Sequence, residues 1–391
     1  MTVYNNFELV ITHENSASLI QELLKELPPQ PVIEGKGIVV CAGGRYLPSF
    51  YAQVRLLREF GCTLPITCYY NGAAELGEDF SELLVGYGVT FVDLSVVNAE
   101  SPYRQRDCHG WSMKSAAVIN APYREVLLLD ADNFPARDPS YLFDTCEYQE
   151  YGYCLWPDIR PFDPNAQYWA SLGLPAEDVS EHESGQLLID KFLAWDALAV
   201  TSWLNGNSNY YYTVAYGDKD YWRAGARLTG KDFFVSHPCF VIPGTLVQRD
   251  FKGEALFYHR IVHKLDRFAP MAQVDGFVNE DKLAAYLEDL KRDWLPNNFN
   301  LTAAERAATN ALVGKRYHYY RVGLDDRDFV FGANHVITEG AAGAERYYFI
   351  RNDKLCISGD AGVICELEPF VDGWVGRWVS HEKCLIILED R

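Results

Sequence analysis

The sequence predicts an α/β domain built on a parallel sheet, followed by a small all-β module. From Gly37 onward, short apolar strands alternate with amphipathic helices, and repeated β-α units of this length form parallel sheets that are covered on both faces. The fourth predicted strand, Val126 to Leu129, ends directly in Asp130-Ala131-Asp132. Beyond about residue 312 the helical periods stop, and short alternating runs separated by Gly, Asp and Asn are typical of β strands.

The first element is an amphipathic helix over residues 16–27, which precedes Pro28-Pro29 and packs on the domain or on a second subunit. Strands are expected over 38–42, 65–70, 89–94 and 126–129, with helices around 48–60, 78–85 and 111–120. Aromatic residues crowd the less regular region 145–265, and polar-tipped rings suit carbohydrate faces as well as core walls. The predicted boundaries are 1–36 for the helix and linker, 37–300 for the α/β domain and 312–391 for the β module.

Charge and cysteine usage restrict the partners and the compartment. The 391 residues carry a formal charge of −19, which disfavours nucleic acid and anionic lipid, so an anionic ligand needs a local basic pocket or a metal. No run approaches the roughly 20 apolar residues that span a bilayer, and the N-terminus lacks the pattern of a signal peptide. Ten cysteines without a C-x-x-C pair indicate reduced thiols. These features predict a cytoplasmic protein without a transmembrane segment.

Asp130 and Asp132 are the most informative residues of the chain. They follow an apolar strand at its carboxyl end, where ligands of open α/β sheets bind. Two carboxylates separated by one small residue can hold a hard divalent cation, which in turn can hold a diphosphate. The alternative is that both aspartates only stabilise the turn after the strand.

A set of further motifs occurs in a defined order along the chain. The motifs are Ala42-Gly43-Gly44-Arg45-Tyr46-Leu47, Leu64-Pro65-Ile66-Thr67, Tyr70-Asn71-Gly72, Lys114, the segment from Tyr123 to Asn133, Trp156-Pro157-Asp158, the segment from Glu183 to Lys191, and Gly217-Asp218-Lys219-Asp220. With them, the first 265 or so residues resemble retaining glycosyltransferases of the GT-A fold, which have a Rossmann-like nucleotide-sugar-binding domain. The resemblance is greatest to the α-mannosyltransferases that elongate fungal mannan. The β module lies outside the resemblance, and the expected lack of an anchor and secretory route leaves the acceptor open.

The resemblance implies the residues that bind the nucleotide sugar. Gly43 and Gly44 permit close approach of the backbone to a nucleotide, or alternatively form a tight turn. Lys114 matches a lysine of the family, and Arg45, Arg106 and Lys264 are further basic candidates for the diphosphate. The motif that contains Gln186 is expected to contact the donor sugar. Asp130 is expected to contact the nucleotide sugar as well as to bind the metal.

The resemblance also implies catalytic and metal-binding residues. Asp218 matches the acid that retaining GT-A enzymes keep near the anomeric carbon, although it can equally cap the following helix, and Glu183 is the second catalytic candidate. His259 occupies the place of a late-strand histidine that completes a metal site with Asp130 and Asp132. Imidazole with carboxylates favours Mn²⁺, with Mg²⁺ as the alternative.

The expected function is metal-dependent, retaining transfer of a hexose from a nucleotide diphosphate sugar to a hydroxyl of a glycan or another acceptor. The resemblance favours GDP-mannose, while more distant relatives use UDP-hexoses. A sugar-1-phosphate nucleotidyltransferase and a non-enzymatic, metal-dependent carbohydrate-binding protein are the alternatives. The N-terminal helix or the β module is the expected contact of a homo-oligomer.

Overall fold

The computed structural model describes residues 2–76, 80–266, 271–294, 301–341, 345–359, 362–379 and 381–391. The chain divides into two compact units. The first comprises the chain up to Glu75 together with Leu84–Lys291, and the second comprises Leu76–Leu83 together with Arg292–Arg391. None of the helices within these described ranges has the length and apolarity that crossing a membrane requires.

The strands of the first unit form a seven-stranded and a four-stranded sheet. They are β1 (Lys36–Cys41), β2 (Ile66–Tyr70), β3 (Val89–Asp93), β4 (Glu125–Asp130), β5 (Asn133–Pro135), β6 (Tyr153–Pro161), β7 (Ser180–Asp190), β8 (Phe234–Val235), β9 (Phe240–Ile242), β10 (Thr245–Arg249) and β11 (Ala255–His259). The larger sheet has the order β3-β2-β1-β4-β7-β6-β8, and the smaller one has the order β5-β11-β10-β9. Asn133 follows Asp130 by three residues, so the chain passes from the larger sheet to the smaller one at the Asp-x-Asp motif.

Helices precede, connect and follow these strands. They are α1 (Ser16–Leu23), α2 (Leu47–Glu59), α3 (Ala73–Leu76), α4 (Leu94–Glu100), α5 (Met113–Asn120), α6 (Cys146–Tyr151), α7 (Gln167–Leu172), α8 (Trp195–Asn205), α9 (Ser208–Tyr211), α10 (Lys219–Thr229) and α11 (Glu280–Asp293). The helix predicted around 48–60 corresponds to α2, and the one predicted around 111–120 corresponds to α5. The helix predicted around 78–85 lies partly outside the described residues, and its described part is a short 3₁₀ turn over Phe80–Leu84.

The larger sheet is mixed rather than wholly parallel, which corrects the expectation from the β-α pattern. Strands β1 to β4 pair in parallel, whereas β7 runs antiparallel to β4, with Leu129 opposite Gln186. Strand β7 pairs antiparallel with β6 as well, so the two form a hairpin-like unit that does not return through a crossover helix. Because β7 is reversed, its first half lies beside the carboxyl end of β4. The motif around Glu183 is thereby brought to the Asp-x-Asp turn.

The N-terminal helix packs within its own unit. Ile20 and Leu23 are buried in an aromatic cluster with Tyr168 and Trp203, and the Ser16 hydroxyl donates to the carbonyl of Ser171 at 2.7 Å. The proline segment after the helix is held in the same way, because the indole of Trp195 donates to the carbonyl of Pro28 at 2.7 Å.

The second unit is an antiparallel sheet with one short helix. Its elements are α12 (Ala303–Asn310), β12 (Arg316–Arg321), β13 (Asp325–Phe331), β14 (Ile337–Glu339), β15 (Tyr347–Arg351), β16 (Lys354–Gly359), β17 (Gly362–Phe370), β18 (Gly373–Trp378) and β19 (His381–Asp390). A bridge between Val336 and Tyr347 joins the two ends of the strand order β14-β13-β12-β19-β18-β17-β16-β15. Helix α12 is fixed to the sheet where the Ile350 amide donates to the Thr309 hydroxyl at 2.8 Å. The predicted all-β character of the C-terminal region is confirmed.

Candidate active site

The Asp-x-Asp turn is held by a glutamine from the neighbouring helix. Gln53 on α2 is fully buried, and its Nε2 donates to the carbonyls of Asp130 at 2.7 Å and Asn133 at 2.6 Å. Both ends of the turn are therefore fixed by one side chain. The carboxylate of Asp130 is partly exposed, while that of Asp132 is buried. The two aspartate side chains therefore lie at the end of β4 on a backbone whose position is fixed by Gln53.

His259 is placed against this turn by the smaller sheet. It is the last residue of β11 and pairs with Asn133 of β5, which begins immediately after the motif. Its Nε2 lies 3.3 Å from Oδ1 of Asp132 and 3.8 Å from Oδ2 of Asp130. One ligand atom from each of the three residues lies within 4.8 Å of the other two. The structure therefore brings together the three residues that the sequence predicted as metal ligands.

The chemistry of this cluster suits a divalent metal. Two carboxylate oxygens and one imidazole nitrogen form a mixed oxygen and nitrogen donor set, and His259 Nδ1 is buried without a hydrogen-bond partner among the residues that the structure describes. A residue larger than glycine at Gly185 would collide with the imidazole, because a Cβ there would lie 2.7 Å from Nδ1. The position of the ring is therefore set by close packing as well as by strand pairing.

Lys114 lies between Asp130, a candidate metal ligand, and the buried acid Asp218. Its Nζ lies 2.8 Å from Oδ1 of Asp130 and 3.8 Å from Oδ1 of Asp218, and it donates to the Ser184 hydroxyl at 3.0 Å. Burial opposes the positive charge, but the carboxylates of Asp130 and Asp218 together raise the pKa of Lys114 above its ordinary value. The ammonium is therefore charged at neutral pH.

Asp218 is buried and directed into this network rather than used as a helix cap. It precedes α10, but no side-chain cap bond is present. Its oxygens accept instead from the Trp222 indole at 3.0 Å and from the Ser184 hydroxyl at 3.1 Å. Burial raises the pKa of Asp218, and the nearby ammonium of Lys114 works in the opposite direction.

Glu183 and Gln186 lie on the reversed strand β7. Glu183 Oε1 accepts from the Gly185 amide at 2.9 Å and lies 3.7 Å from His259 Nδ1, and burial raises the pKa of Glu183. Gln186 is fully buried; its Oε1 accepts from Asn133 Nδ2 at 2.6 Å, while its Nε2 has no hydrogen-bond partner within the described ranges of the chain. Both residues therefore border the metal-binding cluster.

The remaining basic candidate at this edge is Lys264, which forms an ion pair with Asp132. Its ammonium also lies 5.3 Å from the ring centre of Tyr46, whose hydroxyl accepts from the exposed Arg45 at 2.9 Å. A series of contacts thus links the turn after β1 to Asp132: Arg45 contacts Tyr46, and Tyr46 contacts Lys264.

The structure explains why glycine occupies both predicted positions, Gly43 and Gly44. Gly44 has a left-handed φ of 51°, which favours glycine. A Cβ on Gly43 would lie 2.4 Å from an oxygen of Glu75, so the close approach of that carboxylate requires glycine there. The turn that the sequence analysis gave as the alternative explanation is therefore present.

Arg106 lies in different surroundings from the other site candidates. Its guanidinium donates to the carbonyl of Leu9 at 2.8 Å and to Asn209 Oδ1 at 2.7 Å, so its contacts fix the N-terminal segment. Arg260, another basic residue near the site in sequence, is fully buried and pairs with Glu280 at 3.0 Å.

Sequence reasoning missed Gln53, Ser184 and Trp222 as supporting residues of the site. Gln53 carried a usable signal, because it lies three residues after Phe50 and four before Leu57 on the apolar side of a predicted helix. A polar side chain on a buried helix face needs an internal partner. Ser184 and Trp222 carried no such signal, since their role depends on the reversed strand and on the approach of α10.

The larger sheet is mixed, with an Asp-x-Asp turn at the end of β4 and the reversed strand β7 beside it, which is an α/β arrangement as the sequence predicted. Residues 35–175 match the model of a family described as "Mannosyltransferase putative".

Individual relatives are fungal. The chain is 24% identical over 295 residues to α-1,2-mannosyltransferase MNN2 of Saccharomyces cerevisiae, covering 64% of this chain and 49% of that protein. It is 28% identical over 143 residues to α-1,2-mannosyltransferase MNN2 of Candida albicans, covering 36% of this chain and 24% of that protein. The predicted resemblance to fungal mannosyltransferases is thereby confirmed, and the matched regions span less than half the length of these relatives.

Among solved structures, the chain is similar to the mannosyltransferase Ktr4p of Saccharomyces cerevisiae at 11% identity and a TM-score of 0.32. That match covers 54% of this chain and 73% of the other. A match to the galactosyltransferase LgtC has 18% identity and a TM-score of 0.37, covering 52% of this chain and 73% of the other.

Proposed function

We propose that this chain is a metal-dependent, retaining glycosyltransferase that transfers a hexose, with mannose favoured, from a nucleotide diphosphate sugar to a hydroxyl acceptor. The observation that carries the proposal is the juxtaposition of a three-residue metal-binding cluster with the buried Lys114-Asp218 pair. A metal site alone would suit many proteins. A metal site next to a buried ammonium and a buried carboxylate supplies the groups that phosphate departure and sugar transfer require.

Asp130, Asp132 and His259 would hold the metal, and Mn²⁺ is proposed because it accepts both imidazole and carboxylate ligands. The metal supplies electrostatic stabilisation of a diphosphate leaving group. In the structure described here, Lys114 and Lys264 pair with the two aspartates. Both ammonium groups thus lie at the cluster, where they can bind diphosphate oxygens.

Lys114 and Lys264 are proposed to bind the diphosphate in an otherwise acidic protein. A formal charge of −19 makes a local positive site necessary for an anionic donor. Lys114 is held in place by Asp130 and Ser184, so little reorganisation is needed when negative charge develops on the departing phosphate.

Asp218 and Glu183 are proposed to face the anomeric carbon. Both are carboxylates close to the metal-binding cluster, and each is held by specific donors: the Trp222 indole for Asp218 and the Gly185 amide for Glu183. A fixed carboxylate stabilises the positive charge that develops at the anomeric carbon of a glycosyl transition state. Burial raises the pKa of both acids, and the ammonium of Lys114 next to Asp218 favours the ionised form of that carboxylate.

Mannose is the favoured sugar because the sequence relatives are named α-1,2-mannosyltransferases, and GDP-mannose is the donor that the resemblance implies. The test is calorimetric titration of the protein with GDP-mannose, UDP-glucose and free mannose, each with and without Mn²⁺. Mn²⁺-dependent binding of one nucleotide sugar, followed by release of the nucleoside diphosphate, is expected. Metal-dependent binding of free mannose alone would favour the carbohydrate-binding alternative, and formation of a nucleotide sugar from sugar 1-phosphate and a nucleoside triphosphate would favour the nucleotidyltransferase.

Asp132→Asn is the matched variant for this titration. It keeps the size of the side chain but weakens the metal site, so the Mn²⁺-dependent part of donor binding should disappear. Asp196→Asn, which changes a carboxylate in the first turn of α8, serves as the control that should bind the donor as wild type does.

A further inference from the structure

An exposed pair of aromatic side chains lies beside Asp218 and has no part in the site described above. Trp111 is 47% exposed and Tyr216 is 74% exposed, with ring centres 5.3 Å apart and ring planes inclined by 53°. Other large aromatics of this unit, such as Trp156 and Trp222, are fully buried. Two adjacent rings left in solvent form an apolar surface that folding alone does not explain.

Trp111 packs on the partly buried Tyr212, which in turn packs on the buried Tyr221. Trp111 lies 6.4 Å from Tyr212, which stacks on the buried Tyr221 with ring planes within 19° of each other. The Tyr212 hydroxyl donates to Asn205 Oδ1 at 2.8 Å. Trp111 therefore rests on a fixed layer, so little of its side-chain entropy remains to be lost when a ligand binds.

The backbone places this pair at the edge of the proposed reaction centre. Tyr216 is separated from Asp218 only by Gly217, which has a left-handed φ of 72°. A Cβ on Gly217 would lie 3.1 Å from the Trp111 ring, so the indole covers that glycine closely. Trp111 also precedes Lys114 by three residues, and the Lys114 ammonium lies 3.8 Å from Asp218. A molecule on the two rings would therefore adjoin the carboxylate assigned to the anomeric carbon.

We infer that Trp111 and Tyr216 form a subsite for a pyranose ring of the acceptor, an inference that rests on the proposed function. Pyranose rings present C–H groups on one face, and the negative face of an aromatic ring attracts them. Hydroxyls at the rim of the sugar stay available for solvent and for transfer. Two inclined rings form a corner that contacts a sugar on two sides, which selects a saccharide over a small alcohol.

The nucleotide base is the other planar group that such rings can stack. Strand order favours the acceptor, because the base is expected near Gly43 after β1, whereas Asp218 contacts Ser184 on β7. Strands β1 and β7 lie on opposite sides of β4. Tyr216, two residues before Asp218, is therefore linked to the β7 side of β4, away from the expected base.

The test uses the full chain with Mn²⁺ and GDP-mannose, and α-1,2-mannobiose as acceptor. Trp111→Ala and Tyr216→Ala should each raise the acceptor KM at least tenfold with a smaller change in kcat at saturating acceptor, and Trp111→Phe should recover most of the loss. Phe192→Ala is the matched control, because Phe192 is 61% exposed and its ring contacts Arg124. It should show the wild-type KM.

Two results would overturn the inference. An unchanged acceptor KM in both alanine variants would show that the rings do not bind the acceptor, and a tenfold loss of GDP-mannose affinity, measured without acceptor, would assign them to the donor base. Failure of the proposed function is a different result: the wild-type protein itself would then release no nucleoside diphosphate with or without acceptor.

Discussion

The ammonium of Lys114 lies 2.8 Å from Oδ1 of Asp130. The same ammonium is 3.8 Å from Asp218, so one cation lies between a metal-binding aspartate and the acid proposed to face the sugar. Because Lys114 and Asp218 are buried and Asp130 is only partly exposed, their charges are weakly screened. The proposed metal site and the proposed sugar site are therefore electrostatically linked through a single side chain.

Replacing Lys114 with methionine should separate its role from that of the metal. Lys114→Met keeps the length of the side chain but removes the charge, so transfer should fall by about 100-fold or more, as on loss of a preorganised electrostatic group. Mn²⁺ should still raise the melting temperature, because all three ligands remain. The measurements are nucleoside diphosphate release and thermal unfolding with and without Mn²⁺.

A matched control for this variant is Lys36→Met, since Lys36 is a half-exposed lysine 3.7 Å from Asp144. It should retain wild-type turnover. The proposed role of Lys114 would be wrong if Lys114→Met transferred at the wild-type rate.

His259→Gln should remove stabilisation by the metal while affecting the metal-free protein much less. A ligand that binds only the folded state at 100 times its dissociation constant adds about 2.7 kcal/mol to the free energy of unfolding. Most of this increment should be absent in the variant, because one of the three ligands is lost. The measurement is urea unfolding with and without Mn²⁺.

His237→Gln provides the comparison, because the His237 ring contacts only the carbonyl of Phe251 among the hydrogen bonds described, at 3.2 Å. It should respond to Mn²⁺ as wild type does. Equal destabilisation of His259→Gln in both conditions would make His259 a structural residue.

Strand β4 of the site was predictable from the sequence, whereas helix α8 was not. The carboxyl end of β4 is marked by four consecutive apolar residues followed by two aspartates, so its position follows from hydrophobic pattern alone. Helix α8 is buried on all sides except at Asp196, and a helix without a polar face shows no 3.6-residue period. That is why the region 145–265 seemed irregular in the sequence.

The site itself depended on the direction of a strand. The sequence of β7 does not indicate that the strand runs antiparallel to β4, because a strand buried on both faces has the same composition in either direction. The reversal places Gln186 opposite Leu129 and brings Glu183 to His259. Family resemblance identified these residues, whereas pattern reasoning alone could not have placed them together.

A third prediction concerns Asp220, whose carboxylate accepts from the His182 amide at 2.9 Å. Burial raises the pKa of Asp220 to about 7 from its ordinary value of 3.8. Between these values the folded protein binds a proton that the unfolded chain has released, so this group makes the protein less stable as pH rises from about 4 to about 7.

Asp220→Asn should remove this pH-dependent loss of stability. Between pH 5 and pH 7 the decrease in the free energy of unfolding should be smaller in the variant by up to about 3 kcal/mol, at about 1.4 kcal/mol for each pH unit. Urea unfolding of both proteins at pH 5, 6 and 7 measures the difference. Parallel pH profiles would show that Asp220 is ionised throughout this range.

Asp218→Asn tests the acid two residues away, where a catalytic rather than a stability effect is expected. Asparagine can still accept from the Trp222 indole, which now donates to Asp218 at 3.0 Å, so the fold should persist. The variant loses the negative charge that is proposed to face the anomeric carbon, and this charge would stabilise the transition state most, where positive charge develops. The kcat for transfer should therefore fall by about 100-fold or more, with the dissociation constant of GDP-mannose changed only a few-fold.

Asp220→Asn is the internal comparison, because it removes a buried carboxylate from the same helix without touching Lys114. A variant of Asp218 that transfers normally, or that fails only through lost donor affinity, would show that this carboxylate positions Lys114 and Ser184 instead of acting on the sugar.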